Sequence, residues 1–141
     1  SLIKLADELG VGKRLKFAGV VRGVDKYYLI KKAKMMVHMA IWESFCNVVH
    51  EGLSQGLVCI VANNTALPLL VKNGVNGYVI ETEDHIGLAK KINYVVKNFD
   101  GKVIKNIRKL NQEFGKDSSW SNVSAKMGKF YLGIINTIIN R

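Results

Sequence analysis

Residues 33–56 read Ala33-Lys34-Met35-Met36-Val37-His38-Met39-Ala40-Ile41-Trp42-Glu43-Ser44-Phe45-Cys46-Asn47-Val48-Val49-His50-Glu51-Gly52-Leu53-Ser54-Gln55-Gly56. The stretch Met35–Ala40 is short and mostly apolar on both faces, which fits a strand covered by helices on both sides. Ile41–Cys46 has no period and reads as a loop. A helical pattern then opens: Asn47 is a good N-cap, Val48 and Val49 start an apolar face, and Gly56 stops the helix. Strand, loop and helix in so few residues form the repeating unit of a parallel α/β sheet.

The same alternation extends outward in both directions. Further strands are predicted at Leu15–Gly19, Val58–Ala62 and Tyr78–Ile80. Helices are predicted at Leu2–Leu9, Asp25–Ala33, Asn47–Gln55, Leu67–Lys72, Ile86–Asn98, Lys102–Phe114 and Ser121–Ile139, with Gly10, Gly56 and Gly74 where helix C-caps belong. Such alternation implies parallel strands joined by right-handed crossovers, with ligands bound beyond the carboxyl ends of the strands. Attention falls on residues 19–24, 40–47, 62–68 and 80–84.

Composition narrows the class. A chain of 141 residues, 48% of them hydrophobic, fits one globular domain with a real core, and its mean hydropathy is +0.08. No apolar run approaches the roughly 18 residues that a membrane-spanning helix needs, and Ser1–Gly10 reads as helix rather than as a leader. Cys46 and Cys59 have no CxxC partner, which argues against a disulfide framework and against a zinc site. The expected location is a reducing cytoplasm. Of the net charge of +10, most sits in residues 84–141, where eleven Lys/Arg face four Asp/Glu. Lys90, Lys91, Lys97, Lys102, Lys105, Arg108 and Lys109 have the spacing of the wet face of amphipathic helices, and a peripheral contact with anionic membrane is the second reading. Few aromatics interleave with them, so nucleic acid is not an expected partner.

The 40–47 loop carries the chemistry. The free N–H groups and dipole at the following helix start make an anion site. Glu43 stands just before that helix and Glu51 about one turn inside it. A carboxylate accepts two hydroxyl hydrogen bonds at once, which suits vicinal diols of ribose or hexose. Physics leaves a plainer reading beside this one: an acid near a helix start is often only a dipole partner worth about 0.3–1 kcal/mol.

The order of motifs adds a resemblance. Leu15-Lys16-Phe17-Ala18-Gly19 looks like "V-x-F-x-G", and Ala33–Ala40 looks like "A-D-v-x-v-x-P-S". Glu43–Gly56 looks like "E-G-F-G-x-x-x-x-E-A-M-A-x-G", Leu67–Ile80 like "I-P-E-I-V-x-D-G-x-N-G-x-L-V", and Ser119–Val123 like "f-S-W-x-x-v". In this order, over nearly the whole chain, they resemble the C-terminal donor-binding domain of family-4 retaining glycosyltransferases of the GT-B fold. The resemblance implies a Rossmann-like parallel sheet with helices on both faces, residues 1–141 forming a single nucleotide-sugar-binding domain. It implies that Glu43 contacts the donor hexose near the reacting carbon and that Glu51 grips the ribose. The segment Ser44, Phe45, Cys46, Asn47 and Val48 would hold the diphosphate. The donor would be a UDP-, GDP- or ADP-sugar, the acceptor a carbohydrate or lipid-linked molecule, with retention of configuration, no further cofactor and no metal; the three histidines have no ligand spacing.

The chain departs from the pattern at named places. "G-F-G" is Ser44-Phe45-Cys46, "P-S" is Met39-Ala40, and two glycines before the Pro68 helix are Thr65 and Ala66. Leu69 stands where the family has glutamate. Two family strands that precede Leu15–Gly19, with their Arg/Lys pair, have no counterpart here, and neither does the acceptor domain. A fragment inactive by itself is therefore expected, with a non-catalytic nucleotide- or partner-binding module as the alternative. His38 reads as a core or interface residue and His50 as a helix-surface residue. Trp42 reads equally as site mouth or as packing, and Trp120 as the anchor of the last helix. In this family that helix returns to the other domain, which would explain the stripe Phe130, Tyr131, Ile134, Ile135 and Ile138.

Overall fold

The computed structural model describes residues 1–64 and 66–139; Thr65, one of the departures above, lies outside them. In chain order the elements are α1 (Leu2–Glu8), a 3-10 turn (Gly12–Arg14), α2 (Gly23–Lys32), β1 (Met35–His38), α3 (Asn47–Ser54) and β2 (Val58–Ala62). They continue with α4 (Leu67–Leu70), β3 (Gly77–Ile80), α5 (His85–Lys97), α6 (Lys102–Asp117) and α7 (Trp120–Ile139). The strands are parallel in the order β1-β2-β3, with Met35 opposite Val58 and Cys59 opposite Gly77. The fold class expected from the sequence, an α/β parallel sheet flanked by helices, is the one observed.

The core explains why β2 is apolar at every position. Cys59 and Val61 belong to one cluster with Ile30 of α2, Val49 and Leu53 of α3 and Leu67 of α4. Val58 and Ile60 belong to another with Tyr78, Val95 of α5, and Ile104 and Ile107 of α6. Successive strand residues point to opposite faces, so a strand covered on both sides needs apolar residues throughout. Full burial of each such Val, Leu or Ile contributes about 1.5–3 kcal/mol.

Two backbone devices bring α6 against this core. Buried Asn111 donates from Nδ2 to the carbonyls of Leu57 and Asn76, each at 2.8 Å, tying α6 to the α3–β2 turn and to the loop before β3. Gly115 lets α6 lie directly on the end of α3, where a Cβ would run into the Ser54 carbonyl.

Three expectations are corrected. Leu15–Gly19 pairs with no strand among the described residues, and Leu15 and Phe17 are 50% and 54% exposed. A β-prone run becomes a strand only when a neighbour satisfies its N–H and C=O groups; here the apolar side chains instead line a groove with Leu2 and Leu5 of α1 and with Leu9, which caps that helix. β1 ends at His38 rather than Ala40, and the Asn64 side-chain amide donates to the Ala40 carbonyl instead. The N-cap of α3 is Cys46, not Asn47. Cys46 is left-handed, φ 57° and ψ 67°, and its carbonyl receives the first helical bonds, from Val49 at 3.1 Å and His50 at 3.2 Å.

The basic face is mostly wet. Lys90, Lys97, Lys102, Lys105 and Lys109 are exposed, whereas Lys91 lies over the Tyr78 ring and Arg108 over Phe99. α7 is exposed along its described length. No helix among the described residues is long and apolar enough to cross a membrane.

Candidate functional site

The site is assembled at the carboxyl ends of β1 and β2, around the start of α3. The left-handed turn at Cys46 leads the chain into α3, so the amides of Asn47 and Val48 precede the first intrahelical bonds, at the positive end of the helix dipole. Ser44, Phe45, Asn47 and Val48 are exposed while Cys46 is buried. The expected diphosphate segment is thus accessible through four of its five residues.

The two glutamates flank this turn in different surroundings. Glu51, half-buried, accepts from Lys26 Nζ of α2 at 2.7 Å. The Glu51 carboxylate holds the Lys26 ammonium above the usual lysine range, chiefly through this hydrogen bond. Glu51 borders a cleft of about 650 Å³ that Tyr27, Phe45, Asn47 and Trp120 also line. The His50 ring is stacked at 6.0 Å on Phe45 and meets Phe114 edge-on at 5.1 Å, which props the Phe45 wall of that cleft. His50 is therefore a packed residue and not the surface one expected.

Glu43 lies outside the lining of this cleft. Its Oε1 is 3.2 Å from His38 Nε2, and both side chains are about three-quarters buried. Cys46 completes the group: donor atoms of His38, Glu43 and Cys46 all lie within 4.8 Å of one another. Burial pushes the Cys46 thiol up, the Val49 amide opposes this, and the Glu43 carboxylate adds to the rise.

Sequence reasoning missed Lys26, Tyr27 and His38. His38 had a signal, because it ends a strand on the side where ligands bind. Lys26 had none, since only folding brings it across 25 residues to Glu51. Trp120 was expected as an anchor but is 89% exposed and lines the cleft; Trp42, 79% exposed, does not pack. Leu69 on α4 is 74% exposed, so the position that resembles the family's glutamate presents an apolar side chain to solvent.

Comparison with known proteins gives a consistent result. The family "Glycosyl transferases group 1" matches residues 1–114. The chain is 28% identical over 134 residues to the UDP-Gal:alpha-D-GlcNAc-diphosphoundecaprenol alpha-1,3-galactosyltransferase of Escherichia coli, covering 95% of this chain and 33% of that one. Among solved structures it resembles a sucrose-phosphate synthase from Thermosynechococcus elongatus, with a TM-score of 0.79 and 20% identity over 96% of this chain and 34% of that one. It also resembles Anabaena Alr3699/HepE in complex with UDP, with a TM-score of 0.79 and 20% identity over 94% and 36%. The chain spans about a third of the length of the curated relatives it matches.

Proposed function

The chain belongs to the group 1 glycosyl transferases, and from that premise we propose that it is the donor-binding domain of an enzyme that moves a hexosyl group from a nucleoside-diphosphate sugar, with retention, to a carbohydrate or lipid-linked acceptor. One observation carries the reading: Glu43 and Glu51 flank an accessible helix start, and Glu51 opens onto a cleft beside Asn47 and Phe45. Glu51 is the ribose ligand. Its carboxylate has about four lone-pair sites, so the bond from Lys26 orients it and leaves capacity for a vicinal diol. The amides of Asn47 and Val48, with Ser44 and Cys46 beside them, hold the diphosphate and stabilise charge as it leaves. Glu43 serves the hexose, held in one orientation by His38. The acceptor side and a complementary domain belong to the longer enzyme, which acts in the cytoplasm with no cofactor beyond the donor; the basic face of α5 and α6 serves first as a solvated surface, and contact with an anionic membrane is the second reading for it.

Calorimetric titration with UDP-, GDP- and ADP-sugars tests this. Glu51→Ala should weaken the preferred donor by about tenfold to a hundredfold, the scale of a charge-assisted hydrogen bond, and Glu43→Ala should lower affinity for the sugar more than for the bare nucleoside diphosphate. Donor binding that survives both changes would mean that the site lies elsewhere. The exposed Leu69 favours a second reading, a module that binds a nucleotide or partner chain without catalysis; nucleoside-diphosphate affinity indifferent to the sugar would select it.

A further inference from the structure

His38, Glu43 and Cys46 offer one imidazole nitrogen, one carboxylate oxygen and one sulfur, all within 4.8 Å of one another. Metal–ligand bonds of about 2.0–2.3 Å put the donor atoms of a tetrahedral zinc ion about 3.5 Å apart. His38 Nε2 and Glu43 Oε1, at 3.2 Å, are already close to that spacing, and Cys46 Sγ, within 4.8 Å of both, needs a shift of at most about 1.3 Å. The backbone holds two of the three in place: His38 closes a strand paired to buried β2, and Cys46 sits in a left-handed turn as the cap of α3. Two of the three donors stand where the resemblance leads one to expect no ligand, a variable strand position and a glycine.

We propose that His38, Glu43 and Cys46 form a three-ligand site for a thiophilic divalent transition metal ion, Zn²⁺ before all, with a fourth position open to water. The donor set selects this class, because imidazole and thiolate favour Zn²⁺ over Mg²⁺ or Ca²⁺, which take oxygen ligands. On binding, the Cys46 Sγ proton leaves to solvent as the sulfur–metal bond forms. The His38–Glu43 hydrogen bond gives way to two metal–ligand bonds: the proton shared between Nε2 and the carboxylate leaves to solvent, and the neutral imidazole carries its one proton on Nδ1, taken up from solvent where it was not already there. Resting on the donor reading above, a regulatory consequence follows. The same Glu43 carboxylate cannot serve hexose and metal together, so the ion and the donor sugar exclude one another.

The test begins with Co²⁺ alone added to the wild-type chain. One equivalent should bind with thiolate-to-cobalt charge-transfer absorption, and Zn²⁺ should displace it. Cys46→Gly suits the left-handed position and should fold, yet lose the band; His38→Gln should keep the band with affinity weaker by about tenfold or more, the scale on which even outer-shell partners act. Absence of the band in the wild type, or its persistence in Cys46→Gly, overturns the site. A second titration, of UDP-sugar with and without Zn²⁺, should show weaker donor binding with the ion present; unchanged donor affinity overturns the exclusion. A chain that binds no nucleotide sugar at all would refute the donor reading and leave the cobalt result to decide the metal site by itself.

Discussion

Lys26 Nζ lies 2.7 Å from Glu51 Oε1, a bond from α2 to α3 that fixes one of the two acids of the proposed donor site. About a third of the Lys26 side chain and a quarter of that of Glu51 remain exposed, so water screens the pair and its role is orientation more than stability. Lys26→Met should weaken nucleotide binding with little change in the urea midpoint at pH 7. The raised Lys26 pKa fixes the sign with pH. The folded state retains this proton longer, so the stabilisation is complete below the ordinary lysine pKa and is lost as pH rises through the higher folded value. Whatever small difference the urea melts of wild type and Lys26→Met show at pH 7 should therefore shrink in strong alkali; a difference that grows there would refute the pairing.

Cys46 occupies a backbone region that a residue with a Cβ enters at a cost. Cys46→Gly and Cys46→Ala both remove the thiol, but only glycine relieves the turn. Chemical denaturation should find the glycine variant the more stable of the two by about 1 kcal/mol. Equal stabilities would place the turn at Cys46 elsewhere in φ.

Cys59, buried in β2, has its thiol pushed up to about 12 by burial, with the neighbouring Cys46 adding to it. Between its ordinary value and that one, the unfolded chain loses this proton while the folded chain keeps it, so stability falls as pH rises, at up to about 1.4 kcal/mol per pH unit from this group. Cys59→Val should flatten the pH dependence of the unfolding midpoint above pH 9 or so. Native Cys59 should also resist alkylation until denaturant is added, as mass spectrometry would read.

Asn111 satisfies two carbonyls, of Leu57 and Asn76, from inside the α6 interface. Asn111→Ala leaves both without that partner and should cost about 1–3 kcal/mol in a urea melt, with little effect on nucleotide affinity relative to the folded fraction. A neutral change would show that water replaces the side chain readily.

Much of this was legible in local sequence, and the misses have physical causes. Residues 33–56 gave strand, loop and helix because apolar runs, a turn and a stop glycine are local signals, and β2 was recognisable because a doubly covered strand is apolar throughout. Leu15–Gly19 has the same local character, yet forms no strand here, since pairing depends on a neighbour that the run itself cannot specify. The N-cap moved by one residue because a left-handed Cys46 is a choice of the turn as a whole, and composition favoured Asn47.

The Glu43–Glu51 segment was read correctly as two acids around a helix start, because seven intervening residues and a strand–helix boundary fix that arrangement along one stretch of chain. What each acid faces was decided by tertiary structure alone. Glu51 meets Lys26 and a cleft that Trp120 of α7 also lines, whereas Glu43 turns to His38 and Cys46. Periodicity records which side of an element is apolar, but the partner across a gap is set by packing of the sheet between its helices, and that is a property of the whole fold.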